Sequence, residues 1–160
     1  MKQPLFVFML MVSALCSSAT SCDKTGDNIN PENNTENNNR DDMTSNKINI
    51  KVGLKIFTAT LLDNNSAKTF KEMLPLTINM IELNGNEKYY DLPNNLPTNP
   101  SNPQTIKNGD LMLYGSKTLV LFYKTFSTSY SYTKLGSIDD VTGLATALGS
   151  GNVTVVFELE

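Results

Sequence analysis

From residue 47 onward the sequence predicts a mainly β domain, a curled sheet with two short helices, and three observations carry that expectation. Residues 105–124 hold two apolar runs on either side of Gly115-Ser116, the pattern of a β-hairpin. Asn84-Gly85 is the strongest short hairpin signal in the chain. Residues 47–52 and 55–61 alternate polar and apolar side chains around a break at Gly53, as half-buried strands do.

Taken in order, those two alternating runs open the domain as a hairpin. Asp63-Asn64-Asn65 then offers helix N-caps, and Ala67, Phe70, Met73 and Leu74 recur at helical spacing until Pro75 ends the pattern. Residues 75–83 read as a strand that turns at Asn84-Gly85 and returns through 87–92. Residues 93–103 are too rich in proline and asparagine for regular structure and form a loop. Asn108-Gly109-Asp110 marks a tight turn into the central hairpin.

That hairpin is apolar on both faces, which requires cover on both sides and places it centrally. A two-residue turn at Gly115-Ser116 pairs Met112 with Leu119 and Leu111 with Val120. Met112, Tyr114, Leu119 and Leu121 then share one face, and Leu111, Leu113, Val120 and Phe122 the other. A longer turn shifts this register. Residues 125–133 mix three aromatics with hydroxyl side chains, either as a binding surface or as a strand whose Tyr130 and Tyr132 pack over the barrel. Residues 137–140 are expected to cap a helix through Leu144, Ala145 and Leu148, ended by Gly149 and Gly151, before a closing strand over 152–158.

The N-terminal part carries an address. Lys2 precedes an apolar run over 5–15, which fits the core of an export signal and is too short to span a bilayer comfortably. Ala19-Thr20-Ser21-Cys22 resembles the lipobox at which bacterial lipoproteins are cleaved and acylated, so Cys22 is the expected lipidation site. The division is a signal peptide over 1–21, a lipid-anchored, disordered Asn-rich tether over 22–46 and a folded domain over 47–160. The tether has scarcely an apolar residue to bury. As a flexible coil it sets the domain on the order of 25 to 30 Å from the membrane.

Composition excludes much chemistry. The chain has no histidine and no tryptophan, and its one arginine, Arg40, lies in the tether. Ser-His-Asp, Cys-His and His-metal sites are therefore impossible. Both cysteines, Cys16 and Cys22, precede the domain, so no disulfide framework holds it. Acids and bases balance from Lys47 onward, which argues against a nucleic-acid partner. Asp139-Asp140 suits a helix start better than a catalytic carboxylate pair. Gly149-Ser150-Gly151 follows a helix and precedes a strand, the reverse of a phosphate loop, and the acids have no metal-loop spacing. No cofactor or metal is expected.

At Asn84-Gly85-Asn86-Glu87-Lys88-Tyr89-Tyr90, Asn108-Gly109-Asp110-Leu111-Met112-Leu113-Tyr114-Gly115, Leu121-Phe122-Tyr123-Lys124 and Gly151-Asn152-Val153-Thr154-Val155 the chain resembles the bacterial cyclophilin-like domain family. The resemblance covers nearly all of 47–158. It implies a closed, cyclophilin-like β-barrel of about eight strands with two short helices over its ends. True cyclophilins isomerise the peptide bond before proline with an arginine beside an apolar pocket. This domain has no arginine, and it lacks the family's Phe-His-Arg segment, tryptophan and histidine, so no catalytic residue carries over. A lysine is a poor substitute for a planar guanidinium there.

What the resemblance leaves is a barrel-side groove. Aromatic and methionine side chains that a barrel would gather make Tyr89, Tyr90, Met112, Tyr114, Phe126, Tyr130 and Tyr132 the candidate ligand-binding residues, with Tyr114 and Tyr130 foremost. The expectation is a monomeric lipoprotein of the bacterial cell envelope, attached to a membrane through its N-terminal lipid, whose barrel binds an extended peptide or small apolar ligand without catalysis. The alternatives are a peptidyl-prolyl isomerase with non-standard site residues and a purely structural envelope protein.

Overall fold

The structure, a computed structural model, describes residues 45–160. The expected signal over 1–21, Cys22 and nearly all of the tether lie outside the described residues. In chain order the elements are β1 (Lys47–Val52), β2 (Lys55–Leu61), α1 (Asn65–Lys71), β3 (Leu76–Leu83), β4 (Glu87–Asp91), β5 (Thr105–Ile106), β6 (Asp110–Tyr114), β7 (Thr118–Phe122), β8 (Phe126–Ser127), β9 (Thr133–Ile138), α2 (Leu144–Leu148) and β10 (Val153–Leu159). Eight strands close into an antiparallel barrel in the order β1-β10-β3-β4-β7-β6-β9-β2, and β5 pairs with β8 in a separate two-stranded ribbon.

Alternation builds the barrel wall. On β1, Ile48, Ile50 and Val52 are buried while Lys47, Asn49 and Lys51 reach outward, and the same period sends Phe57, Ala59 and Leu61 inward from β2. These residues join Met80, Leu111, Leu121, Leu135 and Phe157 in one continuous core. The helices close it from opposite ends, because each follows one of the antiparallel neighbours β2 and β9. At one end Asn64 caps α1, its Oδ1 accepting the Ala67 N–H at 2.8 Å, and Phe70 sets its ring edge-on to Phe157 at 5.7 Å. At the other, Leu144 and Leu148 of α2 are buried in the same core.

The central hairpin has a different register from the two-residue reading. Gly115, Ser116 and Lys117 form a three-residue turn, so Tyr114 pairs with Thr118 and Met112 with Val120. Gly115 begins the turn at φ 59°, a conformation that suits glycine. The extra residue exchanges the faces of the second strand. Leu111, Leu113, Leu119 and Leu121 face the barrel core, while Met112, Val120 and Phe122 belong to a second apolar cluster with Ile106 and Tyr132 on the outer wall. The turn is held by neighbouring backbone, the Leu92 N–H donating to the Lys117 carbonyl at 2.8 Å and the Leu96 N–H to that of Ser116 at 2.7 Å. Cover on both faces, expected from the doubly apolar strands, is present, with the β5–β8 ribbon and the chain around Tyr132 lying over the outside.

Residues 137–140 do not cap α2. Ser137 and Ile138 continue β9, which pairs with β2 and β6, and α2 starts after Gly143 with no side-chain cap. Asp139 instead accepts from Lys47 Nζ at 2.8 Å and Thr60 Oγ1 at 2.7 Å, and these bonds hold its carboxyl below the usual range. Asp140 Oδ1 accepts the Thr142 N–H at 2.9 Å in a local turn. Strand pairing won over helix initiation here because Gly136 lets β9 press against β2. An added Cβ at Gly136 would lie 2.4 Å from the Thr60 carbonyl oxygen.

Candidate functional site

Pairing of β4 with β7 sets Glu87 opposite Phe122 and Tyr89 opposite Val120 on the outer wall of the barrel. The two-residue period of β4 turns Lys88 and Tyr90 the other way, toward the interior. Tyr114, at the end of β6, stands beyond Thr118, and the chain after β8 brings Tyr130 and Tyr132 over the same surface. The result is a groove of about 310 Å³ lined by Leu83, Asn84, Glu87, Tyr89, Tyr114, Thr118, Val120, Tyr130 and Tyr132.

The rings form a connected set. Tyr114 meets Tyr130 edge-on at 6.2 Å between centroids and Tyr132 at 5.6 Å, and Tyr132 meets Phe122 edge-on at 5.5 Å. Each contact falls in the range where aromatic pairs attract. Exposure grades outward: Tyr132 is 8% exposed, Tyr114 47% and Tyr130 61%. Tyr132 therefore forms the floor, and Tyr114 and Tyr130 form a wall that meets solvent. Burial raises the Tyr132 phenol above its ordinary value, and the charge of Glu87 adds to the rise.

Of the seven aromatic and methionine side chains expected at a site, four line this groove: Tyr89, Tyr114, Tyr130 and Tyr132. Met112 is buried beneath it, and Phe126 packs against Phe122 at 5.7 Å in the supporting cluster. Tyr90 packs against the barrel core and takes no part. Leu83, Asn84, Glu87, Thr118 and Val120 also line the groove and were not expected there. The period of β4 is the signal that reaches Glu87, since residues two apart on a strand share a face.

Among the described residues, Glu87 is the only charged one in the lining. Within the same residues its carboxylate makes no hydrogen bond and no ion pair. Burial, and then the nearby charge of Glu82, raise its pKa above the ordinary carboxylate value. Glu82 itself is engaged elsewhere. Its carboxylate meets Lys88 Nζ and accepts the Tyr123 hydroxyl at 2.8 Å and the Gly85 N–H at 2.8 Å. Burial works against the ionised form of Glu82, but these bonds outweigh it and the pKa falls.

A larger cleft of about 590 Å³ lies between α1 and the proline-rich loop. Several of its polar groups bond within the protein, among them Ser66 Oγ donating to the Pro97 carbonyl at 2.6 Å and Asn64 Nδ2 to that of Lys134 at 3.0 Å. It has no aromatic lining. The tyrosine groove, where an apolar wall meets an unpartnered charge, is the better equipped for a ligand.

Among the described residues no group of three or more acidic, cysteine or histidine side chains could hold a metal, and no helix is long and apolar enough to cross a membrane. No curated protein and no solved structure matches the chain. The model of the cyclophilin-like family matches residues 50–158, all but the margins of the barrel domain. By that match, and with the eight-stranded barrel and two helices it accompanies, the chain belongs to the cyclophilin-like family.

Proposed function

We propose that this protein is a lipoprotein of the bacterial cell envelope whose barrel binds an extended peptide or a small apolar ligand in the tyrosine groove and turns nothing over. The observation that carries the reading is the half-open ring wall, with Tyr114 and Tyr130 left in solvent although neighbouring apolar clusters are closed. Tyrosine suits a partly wet binding surface because its face is apolar and its hydroxyl tolerates water. The groove's volume fits one large side chain or a small molecule. A binding role without turnover is supported by composition: with no histidine in the chain and its one arginine at position 40, residues 45–160 offer neither imidazole nor guanidinium to a strained amide. The lipid anchor is supported by the run over 5–15 and the small residues before Cys22.

Two assays test the reading. The purified chain should retain ligands from a peptide array and should not accelerate cis-trans exchange of a proline peptide. Robust acceleration, abolished by a substitution within the barrel, would replace the reading with prolyl isomerisation. Metabolic labelling with a fatty-acid analogue should mark the parent and not Cys22→Ser, which should leave the membrane fraction; equal labelling of both would remove the anchor.

A further inference from the structure

The groove is polarised along its length. Rings from Tyr114 and Tyr130 stand at one end, Val120 and the Tyr132 ring that reaches Phe122 lie in the middle, and Glu87 stands toward the other, beside the turn that carries Asn84. From Thr118 to Phe122, opposite Glu87, the wall runs four strand steps, roughly 13 Å. Among the described residues no lysine or arginine lines it. The nearest carboxylate, that of Glu82, is already met by Lys88, so Glu87 is the charge left over.

A neutral apolar ligand complements the ring wall of this surface but leaves Glu87 unmatched. Covering the groove would strip the remaining water from Glu87 and supply nothing in return, and an unpaired buried carboxylate is costly. An anion would meet the same carboxylate with like charge. A cation on an apolar stem solves both problems: the stem lies along the apolar wall, the charge faces Glu87, and ring faces attract the cation as well.

We propose that the groove takes the lysine side chain of an extended peptide, its methylene stem along Val120 and the tyrosine rings and its ammonium against Glu87. The inference rests on the reading of the groove as a ligand site and narrows it to one ligand chemistry. The raised proton affinity of Glu87 agrees with a carboxylate that lacks its counter-charge.

The test is a titration of the full chain with three probes: an acetylated, amidated pentapeptide of four alanines around a central lysine, the same peptide with norleucine in place of lysine, and choline as a free organic cation. Norleucine keeps the stem and removes the charge. The lysine peptide should bind about tenfold more tightly than the norleucine peptide, and Glu87→Gln should abolish that preference while leaving the fold intact by circular dichroism. Equal or tighter binding of the norleucine peptide would overturn the inference while leaving the groove a binding site. Binding of choline alone would overturn the peptide as occupant, and binding of none of the three would overturn the inference outright. The broader reading fails separately, if the peptide array also yields nothing.

Discussion

The ammonium of Lys88, with no exposed surface, lies against the Glu82 carboxylate at the barrel end that α2 covers. Lys88 Nζ also donates to the carbonyls of Gly149 at 2.9 Å and Gly151 at 2.6 Å, the two glycines that lead from α2 into β10. Its charge stands 5.3 Å from the Tyr123 ring centre, and the Tyr123 hydroxyl donates to Glu82. Burial, with Glu82 beside it, pushes the Tyr123 phenol up to about 12. A lysine facing the core is thus a tie between the β3–β4 turn and the end of α2.

Breaking this tie has a direction. Glu82→Gln leaves a buried cation without its counter-charge and should cost about 3 kcal/mol of stability. Lys88→Met removes the charge instead, leaving Glu82 with 19% side-chain exposure and its bonds to Tyr123 and Gly85, so it should cost less. Urea unfolding of the two variants checks the order. The pH response follows from the lowered pKa of Glu82: its contribution is complete above the unfolded carboxylate value of ~4.3 and is lost as pH falls through the lower folded value. Lys88→Met should flatten that acid limb.

Glu87 has the opposite sign. Its folded pKa is raised, so the ionised side chain costs stability above that value, and the cost disappears as pH falls below the unfolded value. Glu87→Gln should therefore stabilise the protein at pH ~7 by up to about 1 kcal/mol, with the gain vanishing in acid. Melting curves at neutral and acid pH read it directly. A loss of stability at neutral pH would show that the carboxylate has a structural task.

Gly136→Ala should be among the most disruptive single-methyl additions. The new Cβ would meet backbone on two counts, 2.4 Å from the Thr60 oxygen and 2.9 Å from the Leu61 Cα, and neither can rotate away. Opening the β2–β9 seam should cost about 3 kcal/mol, measured by urea unfolding. Gly151→Ala, with nothing within 4 Å of the new Cβ, is the matched control.

Much of the barrel was legible because a strand buried on one face writes its period into the sequence. β1 and β2 follow the alternation of residues 47–52 and 55–61, and Asn84, at φ 56°, sits with Gly85 in the turn expected of them. The face assignment of β7 was not legible. It depends on whether Lys117 belongs to the turn or the strand, and one residue exchanges every side chain beyond it. β9 was hidden for a similar reason: Ser137, Asp139 and Asp140 satisfy helix-start chemistry, while the close approach at Gly136 that makes them strand and turn is a tertiary fact. In the groove, aromatic residues drew attention by their mass. Glu87 did not, because a charge beside a turn reads as solvated until the segment around Tyr132 is laid over it.

Tyr132 and Tyr130 should separate scaffold from site. Tyr132→Ala removes a ring that touches both Tyr114 and Phe122 and is nearly buried, and should cost about 3 to 5 kcal/mol. Thermal melting checks it against Tyr130→Ala, which removes a ring that is 61% exposed and should cost no more than about 1 kcal/mol.

The affinity of Tyr130→Ala for a peptide retained by the parent chain tests the tyrosine groove most directly. The account predicts a variant that melts close to the parent and binds at least about tenfold more weakly, as loss of an aromatic binding anchor should. Undiminished affinity in a variant that still folds would contradict the account and return these rings to the role of barrel cover.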